Sequence, residues 1–172
     1  MNLTSLIDVL NNRSEFDAAS SLVQEEGEYL DSGAFSSAYV IDLGERCAVK
    51  IGGVRCMDDG GQLYTEWCLD HQHLTAVPKI LHYKEFYAGL YIVIMELLDD
   101  HDYSTEFDTW ATYIENYEDS PFSPVVPGYI TEFCEDFKEV RAIAQMDMHA
   151  GNYMLRESTG DMVVIDPFSV AF

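Results

Sequence analysis

Apolar residues recur at helical spacing at the start of the chain, at Leu3, Leu6, Ile7 and Leu10, and predict an amphipathic helix. From residue 28 to 98 the pattern changes to short alternating or wholly apolar runs, which predict a mostly antiparallel sheet with one helix. Within it, Cys47-Ala48-Val49-Lys50-Ile51 reads as a strand, entered through the turn Asp42-Leu43-Gly44-Glu45. Leu30 to Val40 reads as a hairpin, Gly60 to Leu69 as the helix, and Leu90 to Leu98 as an apolar strand. Ile130, Phe133, Cys134, Phe137, Val140 and Ala144 then return to helical spacing. Leu155 to Met162 reads as a hairpin turn between two short strands, and the apolar Val163-Val164-Ile165 leads into Asp166. The expectation is a single α+β domain: a helical extension over 1–27, a sheet-based part over 28–98, and a second part over 99–172. Neither an internal repeat nor a low-complexity segment interrupts it.

Charge changes this picture most. The formal net charge is −22, and no lysine or arginine occurs between Lys84 and Lys138. That interval holds Asp99, Asp100, Asp102, Glu106, Asp108, Glu115, Glu118, Asp119, Glu132, Glu135 and Asp136. Such a surface repels nucleic acid and anionic membranes and attracts basic proteins at low salt. It reads either as a solvated face or as an interaction surface imitating nucleic-acid phosphates. Tyr103, Phe107, Trp110, Tyr113 and Tyr117 interleave with the acids. That suits a protein interface and a helical core face equally. No apolar run is long enough to span a bilayer, and the first residues lack the basic region of a secretory leader, so a soluble intracellular protein is expected. Cys47, Cys56, Cys68 and Cys134 show no metal-ligand spacing and are expected as reduced, mostly buried thiols. Cys68, His71 and His73 fall on one predicted helix at spacings that do not converge on a zinc ion.

The residues that carry chemistry lie at both ends of the sheet-and-hairpin pattern. Asp147-Met148-His149-Ala150-Gly151-Asn152, followed after the hairpin by Asp166, places two carboxylates and an amide in one short stretch. The first aspartate can orient a hydroxyl, and Asn152 and Asp166 can share Mg²⁺ on a nucleoside triphosphate. Lys50 can present an ammonium to phosphates, and Glu66 on the following helix can hold it in place. Lys50 and Glu66 are common surface types. Asp166 is harder to read as solvated decoration, because three apolar residues precede it and burying an unpaired carboxylate is costly. His149 reads as a loop-stabilising residue and Gly151 as the residue that permits a tight turn. Each element is weak alone; their order along one chain makes a strong joint signal.

The stretches Ser32-Gly33-Ala34-Phe35-Ser36-Ser37-Ala38-Tyr39, Val49-Lys50-Ile51-Gly52, Tyr64-Thr65-Glu66-Trp67-Cys68, Asp147 to Asn152 and Ile165-Asp166-Pro167 resemble the early serine/threonine protein kinases of T-seven-like podophages over residues 28 to 172. The resemblance implies a minimal protein-kinase-like two-lobe fold, with an antiparallel N-lobe sheet and a truncated, helix-poor C-lobe. It implies ATP and Mg²⁺ as cofactors. Gly33, Phe35, Ser36 and Lys50 would cover the phosphates, Glu96 to Leu98 would hydrogen-bond adenine, Asn152 and Asp166 would hold the metal, and Asp147, Lys50 and Glu66 would be catalytic. Of the expected glycines only Gly33 is kept; Asp31 and Ser36 stand at the other two places, and an aspartate there repels phosphate. Six residues follow Asp166, so neither an activation segment nor later helices are expected, and a partner or a second copy would complete that surface. The expected partners are host bacterial proteins in the host cytoplasm, phosphorylated by this chain, or basic nucleic-acid-binding ones that its acidic surface inhibits. A small-molecule phosphotransferase is a third reading.

Overall fold

A computed structural model describes residues 2–33, 36–53, 60–100, 105–117 and 124–171. Phe35, Cys56, Asp102, Tyr103, Glu118 and Asp119 lie outside the described residues. The chain divides into two compact units, Met1–Gln62 with Lys79–Leu97, and Leu63–Pro78 with Leu98–Phe172.

The first unit is a five-stranded antiparallel sheet of β1 (Glu28–Ser32), β2 (Ser37–Asp42), β3 (Arg46–Gly52), β4 (Ile80–Glu85) and β5 (Tyr91–Glu96), in the order β1-β2-β3-β5-β4. The predicted turn before β3 is present: Gly44 adopts φ +100°, and its N–H donates to the Asp42 carboxylate at 3.0 Å. Alternation along β3 puts Cys47, Val49 and Ile51 into one core with Ile92 and Ile94. That core is closed by Leu6 and Leu10 of α1 (Leu3–Asn12) and by Phe16, Ala19 and Val23 of α2 (Phe16–Glu26). Residues 3–12 and 16–26 thus form two helices that cover one sheet face. Asn2 caps α1 by accepting the Ser5 N–H at 2.9 Å. At the other end the Lys84 ammonium of β4 donates to the carbonyls of Asn11 (3.2 Å) and Arg13 (2.6 Å), where the helix dipole favours a cation.

His82, two residues before Lys84, is half-buried with its Nε2 enclosed and unpartnered. Burial, then the nearby Lys84 charge, hold its pKa below the ordinary value of 6.5. The folded state therefore prefers the neutral ring. This contribution to stability is complete above pH 6.5 and is lost as the pH falls from there through the lowered folded value. Urea midpoints at pH 7.5 and 5.5 are expected to fall further apart for the wild type than for His82→Gln; equal falls would remove His82 from the acid response.

The second unit contains most of α3 (Gly60–Asp70), with α4 (Thr105–Glu115), α5 (Gly128–Arg141) and two small antiparallel ladders. One ladder pairs β6 (Ala144–Met146) with β9 (Phe168–Ala171); the other pairs β7 (Tyr153–Arg156) with β8 (Asp161–Val164). Its core is an aromatic stack: Phe133 on Phe137 at 4.7 Å, Phe137 on Phe168 at 5.2 Å, and Tyr64 edge-on to Phe137 at 5.8 Å. Arg156 is buried and donates to the carbonyls of Thr75 (2.7 Å) and Val77 (3.0 Å), tying the loop after α3 to the β7–β8 hairpin.

Two local expectations are corrected. Ala144 continues the apolar spacing of α5 but belongs to β6, because pairing with Ala171 claims its backbone. His71 and His73 lie beyond the end of α3, in the turn that follows Asp70. In α4 the residues Phe107, Ala111 and Ile114 are buried, while Trp110 and Tyr113 are half-buried, so the aromatics of the acidic region are partly a core face. Among the described residues no helix is long and apolar enough to cross a membrane. Cys47, Cys68 and Cys134 are buried and form no disulfide among the described residues, and burial pushes Cys134 up to about 12.

Candidate phosphoryl-transfer site

In the first unit, Lys50 pairs with Ala38 on β2 and Val93 on β5. Val49 and Ile51 face the α1–α2 core, so pleating turns Lys50 to the opposite face of the sheet. Gly33 closes the β1–β2 hairpin through its N–H to the Ser36 carbonyl at 3.0 Å. A register slip between Tyr29 and Asp31 precedes that turn, and Asp31 is exposed, its Oδ1 accepting the Ser32 N–H at 2.7 Å. At the end of β5, Glu96 donates its N–H to the Lys79 carbonyl (2.9 Å) and accepts the Lys79 N–H on Oε1 (2.8 Å). Asp99 exchanges both main-chain hydrogen bonds with Leu155. Between them Leu97 and Leu98 make no main-chain hydrogen bond among the described residues.

In the second unit, Asp147, Asn152 and Asp166 are brought together by main-chain contacts that the β6–β9 and β7–β8 ladders set up. Asp147 follows β6 and donates its N–H to the Pro167 carbonyl, just before β9, at 2.7 Å. Asn152 Nδ2 donates to the Asp147 carbonyl at 2.6 Å, and the Asn152 carbonyl accepts from Ile165 (2.9 Å) and Asp166 (3.5 Å). Since the amide nitrogen is committed, Oδ1 is the end of Asn152 left for a ligand. Asn152 is only 9% exposed, and Oδ1 of Asp166 is buried. Two oxygen donors of this kind suit a hard divalent cation. His149 accepts the Gly151 N–H on Nδ1 at 3.0 Å, as its reading as a loop stabiliser requires. A Cβ at Gly151 would meet that imidazole at 3.0 Å, so close approach to His149 adds to the constraint at this position.

Glu66 is exposed on α3. Two residues earlier, Tyr64 is fully buried and its hydroxyl donates to the Val164 carbonyl at 2.8 Å. Burial, then Cys68 and then the Asp166 carboxylate push its phenol well above the ordinary value. Tyr64 was not among the sequence-based candidates, although the i, i+3 pair Tyr64 and Trp67 marked an aromatic face beside Glu66. Tyr153, directly after Asn152, was missed as well; its buried ring sends a hydroxyl to the Asp108 carboxylate of α4 at 2.5 Å.

The order of these parts, a hairpin, a lysine strand, a helix with a glutamate, an Asp-to-Asn loop and an aspartate after a strand, places the chain in the kinase-like class. The profile of the family described as Bacteriophage T7 protein kinase 0.7 matches residues 2–172. The chain belongs to that family. A comparison with curated proteins finds no match. Among solved structures the chain is similar to the kinase PK-1 of Cydia pomonella granulovirus, with 15% identity and a TM-score of 0.49 over 88% of this chain and 58% of that one. The chain thus spans somewhat over half the length of that kinase.

Proposed function

We propose that this chain is an ATP-dependent kinase that transfers phosphate to serine or threonine hydroxyls of host bacterial proteins, or to its own. The observation that carries the reading is the joint fixing of Asp147, Asn152 and Asp166 through the 2.6 Å amide contact and the two main-chain contacts at Asn152. Membership in a phage protein kinase family supports it and implies ATP as the donor.

In this reading Asn152 Oδ1 and the Asp166 carboxylate hold Mg²⁺. Bound there, the ion neutralises charge on the phosphate oxygens. Asp147 orients the attacking hydroxyl and receives its proton. Lys50 neutralises nucleotide phosphates, and the main-chain groups of Leu97 and Leu98 hydrogen-bond the adenine edge. Incubation of the purified protein with γ-labelled ATP, Mg²⁺ and bacterial extract is expected to label proteins, and Lys50→Ala to reduce labelling by about 10²-fold. Equal labelling by Lys50→Ala would sink the assignment of that lysine, and no labelling by the wild type would sink the kinase reading.

A second reading is favoured by one observation. The second unit carries eighteen Asp and Glu against three Lys and Arg, leaving a formal −15 of the −22 total. Such a unit binds a basic host protein by charge, with or without phosphate transfer.

A further inference from the structure

We propose that the groove between α4 and the segment entering α5 is a docking site for a basic segment of a partner protein. One apolar side chain of that segment seats against Trp110, and its flanking lysines or arginines face the acidic surroundings. The proposal rests on the charge-based reading above and holds whether or not phosphate is transferred.

The groove is lined by Glu106, Thr109 and Trp110 of α4 and by Val125, Val126 and Pro127, and encloses about 490 Å³. Glu106, Thr109 and Trp110 are spaced i, i+3 and i+4, so they share one helix face, while Phe107, Ala111 and Ile114 take the core. The indole wall is held in place. Trp110 packs on Phe107 at 5.2 Å and meets Tyr129 edge-on at 6.4 Å, and the Tyr129 hydroxyl accepts the Met162 N–H at 3.0 Å. Beside this fixed wall Val125 is 98% exposed. An aromatic wall with adjacent uncovered aliphatic surface is the kind of site into which a single apolar anchor fits.

Charge selects the rest of the occupant. Each of the unit's three cations is engaged by other groups of the chain. Arg156 is buried on the carbonyls of Thr75 and Val77. Arg141 donates to the Tyr117 carbonyl at 2.6 Å, and the Lys138 ammonium stands 5.3 Å over the Tyr117 ring. Tyr117 lies just past the C-terminal end of α4, whereas the groove uses the helix's N-terminal half. An arriving lysine or arginine therefore meets the Glu106 carboxylate in a unit whose formal charge is −15 and whose own cations already have partners. Nucleic acid and anionic lipid carry the wrong sign.

The test uses the full chain and a fluorescein-labelled peptide of arginines and serines with one central leucine, beside the same peptide with glycine at the centre, read by anisotropy. The leucine peptide is expected to bind about tenfold more tightly than the glycine peptide, and both to weaken as salt rises. Trp110→Ala should abolish the leucine preference and Val125→Ser reduce it, while Glu106→Lys should weaken both peptides. Val125→Ser alters only an exposed side chain, so it carries the test if Trp110→Ala fails to fold. Equal binding of the two peptides to the wild type, or a leucine preference that survives both substitutions, would overturn the proposal. Label transfer plays no part in the readout, so a failure here leaves the kinase assignment standing and the reverse is also true.

Discussion

Asp166→Asn is expected to lower Mg²⁺-dependent phosphate transfer by about 10²- to 10³-fold without lowering the thermal midpoint, whereas Asn152→Leu is expected to lose transfer and stability together. The difference follows from what each side chain holds. Asp166 reaches Asn152 through its main-chain N–H, which an asparagine keeps; the substitution removes a negative oxygen donor and leaves the shape. Asn152 works at both levels. Its Nδ2 satisfies the Asp147 carbonyl at 2.6 Å, and a leucine leaves that carbonyl without its donor at a cost of about 1–3 kcal/mol. Initial rates with labelled ATP, beside thermal unfolding of the same preparations, separate the two effects. Transfer by Asp166→Asn within a few-fold of the wild type would take the carboxylate out of the mechanism. A leucine variant as stable as the parent would show that the amide contact does not organise the loop.

The elements that carry the candidate residues were legible because they are strongly patterned. Lys50 lies in an alternating run, Glu66 in a helix opened by Gly60 and Gly61, and Asp166 after three apolar residues. The roles came from the chemistry and order of the residues together with the resemblance, and the structure adds the contacts that bind Asp147, Asn152 and Asp166 to one another. What could not be read is what depends on tertiary pairing. The β6 strand is three residues long and exists only because Phe168–Ala171 lies beside it, so helical spacing claimed Ala144. Arg156 lies in the expected hairpin turn, but the carbonyls of Thr75 and Val77, some eighty residues away in sequence, make it a buried cross-link. The helical extension expected over 1–27 is divided into two helices, and the second stands out less in the pattern because its apolar residues Phe16, Ala19 and Val23 are diluted by acids and serines. The same holds for α3, whose predicted existence said nothing of its packing in the second unit.

That packing makes Tyr64 the residue whose loss should cost most in stability. Tyr64→Ala is expected to destabilise the protein by about 3–5 kcal/mol, because a fully buried ring leaves a cavity between Trp67, Phe137 and Phe168 that the stack cannot close. For a chain of this length that is a fall in thermal midpoint of about 10 °C. Tyr64→Phe keeps the ring and removes only the 2.8 Å bond to the Val164 carbonyl, so a smaller loss of about 1–3 kcal/mol is expected. The phenylalanine variant also tests a functional link. Val164 stands two residues before Asp166, and its N–H is bound to the Ala76 carbonyl at 2.9 Å. Releasing the carbonyl of the same residue loosens the strand that leads to Asp166. A positioning role predicts that Tyr64→Phe raises the Mg²⁺ concentration needed for half-maximal transfer while the rate at saturating Mg²⁺ changes little. A purely structural role predicts no shift in Mg²⁺ dependence at a temperature where both proteins are folded. An unchanged Mg²⁺ titration would leave Tyr64 as a core residue and place the support of Asp166 in the Asn152 contacts alone.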